Sequence, residues 1–363
     1  MKYIIPINSF TKNQTQIIKG IAILCIMLHN LFHYISPMTN MENEFYFNGN
    51  YIKEFWKNLV QNPFDFINII FSYLGHYGVE IFILISGYGL AKSFDTTPQS
   101  WGNYMLKRLK KVYPLLIIGI VFYIFKTISI EYKLPNSNEW SSILYKLLLI
   151  HTFIPGEGLS LVGPWWFFGL IIQLYIFFPW LYRCIKKYGI KSFIVISLIS
   201  YLTIYASLFM FKMPENIYVF QNAIGHFPEF CFGIIIAQSN QLRGNIWMFL
   251  VSIIIFTLGN FYIGFYPLTF LSVSYISVFM FIYFISCKFP LIPIKKLLLV
   301  FGQYSMVLFA IHGMFRWQYV VIAEKYQNPA MTLLLAILFL IEMMILAISA
   351  QKIYDWCLKK LKI

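Results

Sequence analysis

An all-α, polytopic membrane fold is predicted for this chain by three observations. Hydrophobic residues make up 59% of the 363 positions and charged residues only 12%, against about 25% charged in a soluble domain; mean hydropathy is +0.69. The apolar residues fall into runs long enough for a spanning helix, which takes about 20 residues. The 28 Lys and Arg residues sit in short clusters between those runs, as expected where positive loops are retained in the cytoplasm.

In chain order the runs are roughly 17–37, 75–92, 112–132, 166–183, 191–211, 225–239, 246–265, 267–287, 297–315 and 329–351, about ten transmembrane helices. An even number of crossings puts both termini on one side. If that side is the cytoplasm, it receives Lys2, Lys12 and Lys19, then Lys92, Lys107, Arg108, Lys110 and Lys111. Arg183, Lys186, Lys187, Lys191, Arg243, Lys288, Lys295 and Lys296 follow, with Lys352, Lys359, Lys360 and Lys362 in the tail. The opposite topology would place nearly all of these outside, so both termini are expected to be cytoplasmic. The first run is too long for a cleavable signal and no small-residue cleavage site follows it, so it is expected to stay as the first helix. With no long polar stretch, residues 1–363 are expected to form one transmembrane domain in the cytoplasmic (inner) membrane.

The formal net charge of +14 invites a nucleic-acid reading, but basic clusters so placed fit membrane topology better, and no nucleic-acid partner is expected. Cys25, Cys184, Cys231, Cys287 and Cys357 form no Cys-x-x-Cys pair, so neither a disulfide framework nor a zinc knuckle is indicated. Two outside loops, about 38–74 and 133–165, are longer than the rest and rich in aromatics, and loops of such length are often lids over a site.

The first run carries His29 and His33. Ionisable groups inside a span default to a functional reading, and a spacing of four residues puts both imidazoles on one helix face. Lys19 stands at the cytoplasmic end and His29 ten residues on, about 15 Å along the axis. By the same topology His76 and Glu80 begin the second helix from outside, His226 and Glu229 begin the sixth, His312 closes the ninth, and His151 lies in an outside loop. All six histidines then fall between mid-membrane and the outer face, as around a cavity open outward. The plain alternative for His29 is a core imidazole bonded to a backbone carbonyl. Glu80, Glu229 and Glu342 can be packing or paired residues, and the cluster at 107–111 is first of all a topology signal.

Several segments resemble a known family. Lys19-Gly-Ile-Ala-Ile-Leu with His29, Gly78-Val-Glu80-Ile-Phe-Ile-Leu-Ile-Ser86-Gly87, and Lys107-Arg108-Leu-Lys-Lys111-Val-Tyr113-Pro114 are similar to the first three signatures of the acyltransferase-3 membrane family. Gly163-Pro164-Trp165-Trp166-Phe167 leading to Gln173, Pro228-Glu229-Phe230, and Gly302-Gln-Tyr-Ser305 leading to His312 resemble its later segments, in the same order. The resemblance implies ten helices and an O-acyltransferase moving an acyl group, often acetyl, from cytoplasmic acyl-CoA to a hydroxyl of an extracytoplasmic envelope or capsule sugar.

On that reading His29 or His33, with Glu80, carries the chemistry. An imidazole of pKa near 6.5 can take a proton from a hydroxyl as it attacks a thioester. Lys19, Arg108 and Lys111 are expected to hold the acyl-CoA phosphates, and Asn30, Trp166, Gln173, His226, Glu229 and His312 to contact the acceptor; no metal is expected. Here Lys19 stands where the family usually has arginine, nine residues intervene before His29, and Asn30 takes the strict histidine position. The alternative is a transporter or flippase of a polysaccharide precursor with a histidine proton relay.

Overall fold

The computed structural model describes residues 9–96, 100–210, 217–239, 241–286 and 292–361; Lys2, Cys287, Lys288 and Lys362 lie outside them. The described residues form helices and turns with no strand among them. Among the described residues, seven helical stretches are long and apolar enough to cross a membrane, and three shorter apolar helices occupy Ala223–Gln238, Ile246–Phe261 and Leu268–Phe284. These ten stretches fall where the ten apolar runs lie in the sequence.

Helix α1 (Lys12–Phe32) starts earlier than hydropathy indicates because a reciprocal cap sets its first turn. Thr11 Oγ1 accepts from Gln14 N–H at 3.3 Å and Gln14 Oε1 accepts from Thr11 N–H at 2.7 Å, satisfying donors that a helix start leaves open. It ends at Phe32, not 37, since Pro37 disfavours helix in the residues before it. His33 is therefore the residue that closes the helix, one step beyond its last turn.

The segment expected as a long loop from 38 to 74 is largely helical. Helix α2 (Tyr51–Gln61) is followed by α3 (Phe66–Leu74), a tight turn at Gly75–Tyr77, and α4 (Gly78–Thr96). The nine-residue α3 is too short to register as a span, but it is apolar and continues into α4 as one stretch, Pro63–Phe94. The other long loop holds α6 (Ser137–Leu147) between α5 (Trp101–Ser129) and α7 (Trp166–Tyr188). Because α5 is capped by Ser100, the basic cluster 107–111 lies on the helix rather than in a loop before it. Lys and Arg are good helix formers whose stems lie along apolar surface, so charge alone does not end a helix.

Helix α8 (Ile190–Phe209) leads to α9 (Phe227–Gln238), α10 (Ile246–Phe261) and α11 (Leu268–Ser286). Then come α12 (Ile292–Ile311), the short α13 (Trp317–Tyr326) and α14 (Pro329–Lys360), which runs nine residues past the expected end at 351. Helix α1 packs along α12, and α4 along α9. Both crossings bring backbones into contact at glycine, as is common between membrane helices. A Cβ on Gly20 would stand 2.0 Å from Leu298 O, and one on Gly302 1.9 Å from Gln16 O. Helix α1 is thereby fixed against α12 on one side and α3–α4 on the other, which sets the position of its histidines.

Candidate active site

The break between α3 and α4 is built against His29. A Cβ on Gly75 would stand 2.8 Å from both Cys25 O and His29 Cβ, so only glycine lets the turn come this close. At the end of α3, where Phe71 O also accepts from Gly75 N–H, His29 Nδ1 lies 3.0 Å from Ser72 O and 3.2 Å from Phe71 O. Both neighbours are acceptors, so Nδ1 carries the proton and donates. Nε2 makes no hydrogen bond and has Glu44 Oε2 at 3.8 Å. The plain reading of His29, a core imidazole bonded to backbone, describes one of its nitrogens; the other faces Glu44.

His33 packs edge-on against His29, ring centroids 4.7 Å apart, and His76 approaches His29 at 5.6 Å. His33 Nδ1 stands 3.7 Å from Glu42 Oε1. Burial, reinforced by repulsion from Glu44, pushes the Glu42 carboxyl up to about 7. Below that pH Glu42 keeps its proton, so its approach to His33 is not a standing ion pair. A carboxyl whose native pKa lies above its unfolded value binds more protons when folded, so stability falls as pH rises through the window from about 4.5 to about 7. Glu42→Gln is expected to flatten the pH dependence of thermal unfolding across that window. An unchanged slope would show that Glu42 titrates normally.

These groups stand at a cavity of about 400 Å³ lined by Asn30, His33, Tyr34, Glu42, Glu44, Phe45, Trp166, Tyr218, Arg316 and Trp317, among others. His29 itself sits directly behind this wall, reaching it through Glu44. Asn30 donates to Ile26 O at 2.9 Å and accepts from Arg316 at 2.9 Å. The loop at 157–163 closes one side with Leu159 and Leu161. It is tied down by Lys146, whose Nζ donates to the carbonyls of Glu157 and Gly158, both at 2.9 Å.

The remaining residues singled out in the sequence divide between this cavity and the packing around it. Trp166 lines it and stacks on His226. Glu80 is buried off the cavity wall with one oxygen unbonded, and Glu229 is buried with neither oxygen bonded, 3.8 Å from His226 Nδ1. Gln173 ties neighbouring segments together, donating to Thr152 and Asn222 at 3.0 Å and accepting from Ala223 N–H at 2.9 Å. His312 is turned back on its own helix end, bonding Leu308 O and Phe309 O, and His151 bonds Trp165 O at 3.2 Å.

The basic residues gather at the other end of α1. Lys19, Lys107 and Arg108 all act electrostatically on Lys111, and the Arg108 guanidinium lies over the rings of Tyr104 and Tyr175 at 5.1 and 5.8 Å. Helix α1 thus carries Lys19, beside the basic groups of α5, and ten residues on an imidazole whose Nε2 makes no hydrogen bond and faces Glu44. The sequence pattern of the acyltransferase-3 family, described as an acyltransferase domain, matches residues 15–351, nearly the whole chain.

The chain belongs to the acyltransferase-3 family. As an acyltransferase of the membrane, it carries Lys19 two turns into α1 and His29 behind the cavity wall, near the end of the same helix. Comparison with curated proteins and with solved structures finds no match. Sequence reasoning did not single out Glu42, Glu44, Tyr34 or Arg316. The two glutamates could have been noticed: the chain has only 14 Asp and Glu, and two of them follow the histidine pair within 15 residues.

Proposed function

We propose that the protein is an O-acyltransferase of the cytoplasmic membrane that moves an acyl group, acetyl being the simplest case, from cytoplasmic acyl-CoA to a hydroxyl of an extracytoplasmic envelope or capsule sugar. The observation that carries this reading is His29: Nδ1–H is anchored on two carbonyls, leaving Nε2 to act as a base beside Glu44. An orienting partner on one nitrogen and a free lone pair on the other is the arrangement general-base catalysis by histidine requires. The 3.8 Å gap to Glu44 is too wide for a hydrogen bond, and catalytic contacts often tighten only with substrate bound.

In this scheme both termini are cytoplasmic, the ten apolar stretches all cross the bilayer, and the cavity opens outward. The acceptor hydroxyl oxygen attacks the thioester carbonyl carbon as His29 Nε2 takes its proton. Glu44 balances the charge the imidazole gains. The carbon–sulfur bond breaks, the CoA sulfur takes the proton from the imidazolium, and the ester leaves outward. Lys19, Arg108 and Lys111 hold the phosphates, and the pantetheine arm spans the roughly 15 Å from Lys19 to His29. That His29 lies behind the outer cavity wall suits a residue reached by donor from one side and acceptor from the other. Membership in an acyltransferase family favours this reading over a flippase with a histidine relay.

Removing both charges in Arg108→Ala/Lys111→Ala is expected to weaken acetyl-CoA binding, with each lost charge-assisted contact costing roughly 1.5–3 kcal/mol. The loss should shrink as salt rises. Titration of purified protein with acetyl-CoA at two ionic strengths reads this, and unchanged affinity in a correctly inserted double variant would assign the cluster to topology alone. The acceptor class is read by mass spectrometry of surface glycans with and without the gene: no acyl mass difference would refute the proposal.

A further inference from the structure

The outward cavity contains a second polar feature that the proton-transfer scheme does not use. Arg316 is 5% exposed and is the single permanent cation among the described residues lining the cavity. Its guanidinium donates to Asn30 Oδ1 at 2.9 Å and to the Tyr34 hydroxyl at 3.1 Å, both neutral groups, and its Nε has no partner. Among the described residues no carboxylate forms an ion pair with it; Glu44 acts on it only from a distance. Glu42 and Glu44 are instead turned to His33 and His29. A buried guanidinium held by neutral groups alone is costly, because burial of a charge is offset only by pairing and hydrogen bonding.

Two neighbours suit the same ligand. Arg316 immediately precedes α13, which no side chain caps; Tyr319 and Val320 N–H bond Arg316 O, which leaves the N–H groups of Trp317 and Gln318 at the helix start. A helix start with free N–H groups and a positive dipole end favours an anion. Tyr34 and Trp317 pack against each other at a tilt, ring centroids 4.7 Å apart, and lie under the guanidinium, their centroids 4.5 and 5.6 Å from it; both line the cavity. Aromatic surface beside a planar, fork-shaped donor is a setting for a sugar ring bearing a carboxylate or a phosphate.

We infer that Arg316 and the start of α13 bind an anionic group on the acceptor sugar, the carboxylate of an acidic sugar or the phosphate of a phosphorylated one. This rests on the acyltransferase reading of the cavity and names its acceptor class. The test is thermal unfolding of the purified full-length protein, at matched ionic strength, with glucuronate, glucose 6-phosphate or glucose. At least one anion is expected to raise the melting temperature and glucose is not; which anion does so separates carboxylate from phosphate. The shift should vanish in Arg316→Gln and survive in part in Arg316→Lys. No shift with either anion, an equal shift with glucose, or a shift retained in Arg316→Gln would overturn the inference.

Should Arg316→Gln not fold, the wild-type response to acidic against neutral sugar still decides. Acetyl-CoA in a parallel melt keeps the two readings apart. An acetyl-CoA response without an anion response refutes the acceptor class alone. An anion response lost in Arg316→Gln, with no acetyl-CoA response, refutes acetyl-CoA as the donor and leaves the anion site standing.

Discussion

His29→Ala is expected to lower acyl transfer by about 10²–10⁴-fold, the range attributed to a positioned general base, while the protein still inserts and folds. The side chain is nearly fully buried, yet its one anchored contact is to carbonyls at the end of α3, and those can be met by a water in the space the imidazole leaves. His33→Ala is expected to be milder, because neither of its nitrogens is held by a hydrogen bond and its ring serves to wall the cavity and pack on His29. Glu44→Gln should fall between the two, since it removes the charge opposite Nε2 and keeps the shape. Acetyl-CoA-dependent labelling of surface glycan, normalised to protein in the membrane, checks all three. Wild-type transfer in His29→Ala would refute the assignment, and a larger loss in His33→Ala would move the base to that residue.

The helical class, the ten apolar stretches and the family were all legible in the sequence because each is written locally. Composition and run length report burial in lipid directly, and the signatures around His29, Glu80 and Arg108 are short and ordered. Helix ends were less legible. The start of α1 is decided by two side chains, Thr11 and Gln14, and the start of α5 by Ser100, none of which alters hydropathy. The nine apolar residues of α3 are too few to signal a span by themselves, and only their continuation through the turn at Gly75 makes them part of one.

The candidate site was half legible for a related reason. Residues on one helix face, such as His29 and His33, can be paired from spacing alone. Glu42, Glu44 and Arg316 reach the same cavity through chain reversals after α1 and before α13, where no periodicity links them to the histidines. Conversely, Gln173, His226, Glu229 and His312 stood out as polar groups in apolar segments, and the structure shows three of them hydrogen-bonded within the protein. Gln173 joins α7 to the turns before α9, His226 Nε2 donates to Phe220 O at 2.8 Å, and His312 folds back on its own helix. Polarity in a membrane segment marks a constraint, and the constraint can be packing as readily as chemistry.

Gly302→Val is expected to remove the folded protein from the membrane fraction. At this crossing the obstacle is Gln16 O at 1.9 Å and Gln16 C at 2.7 Å from the position of a new Cβ; both are backbone, so no rotamer change makes room. The partner glycine is equally tight, with Gly20 against Leu298 O at 2.0 Å, so α1 can neither slide nor rotate past α12 without a second clash. Forcing extra carbons into a packed interior typically costs 1–3 kcal/mol, and occasionally more; here a β-branched side chain must move a whole helix. That helix also carries His29, which is matched on its other side to Gly75 and to the carbonyls of Phe71 and Ser72, so any displacement that relieves the clash misplaces the imidazole. Gly89→Ala is the matched control, because nothing lies within 4 Å of the new Cβ and alanine is favoured over glycine inside a helix by roughly 0.5–1 kcal/mol. Size-exclusion profiles and thermal unfolding of both variants in detergent provide the measurement. Gly302→Val should aggregate or melt well below the wild type, and Gly89→Ala should match or exceed it. A monodisperse Gly302→Val with the wild-type melting temperature would show that α1 and α12 do not touch as described.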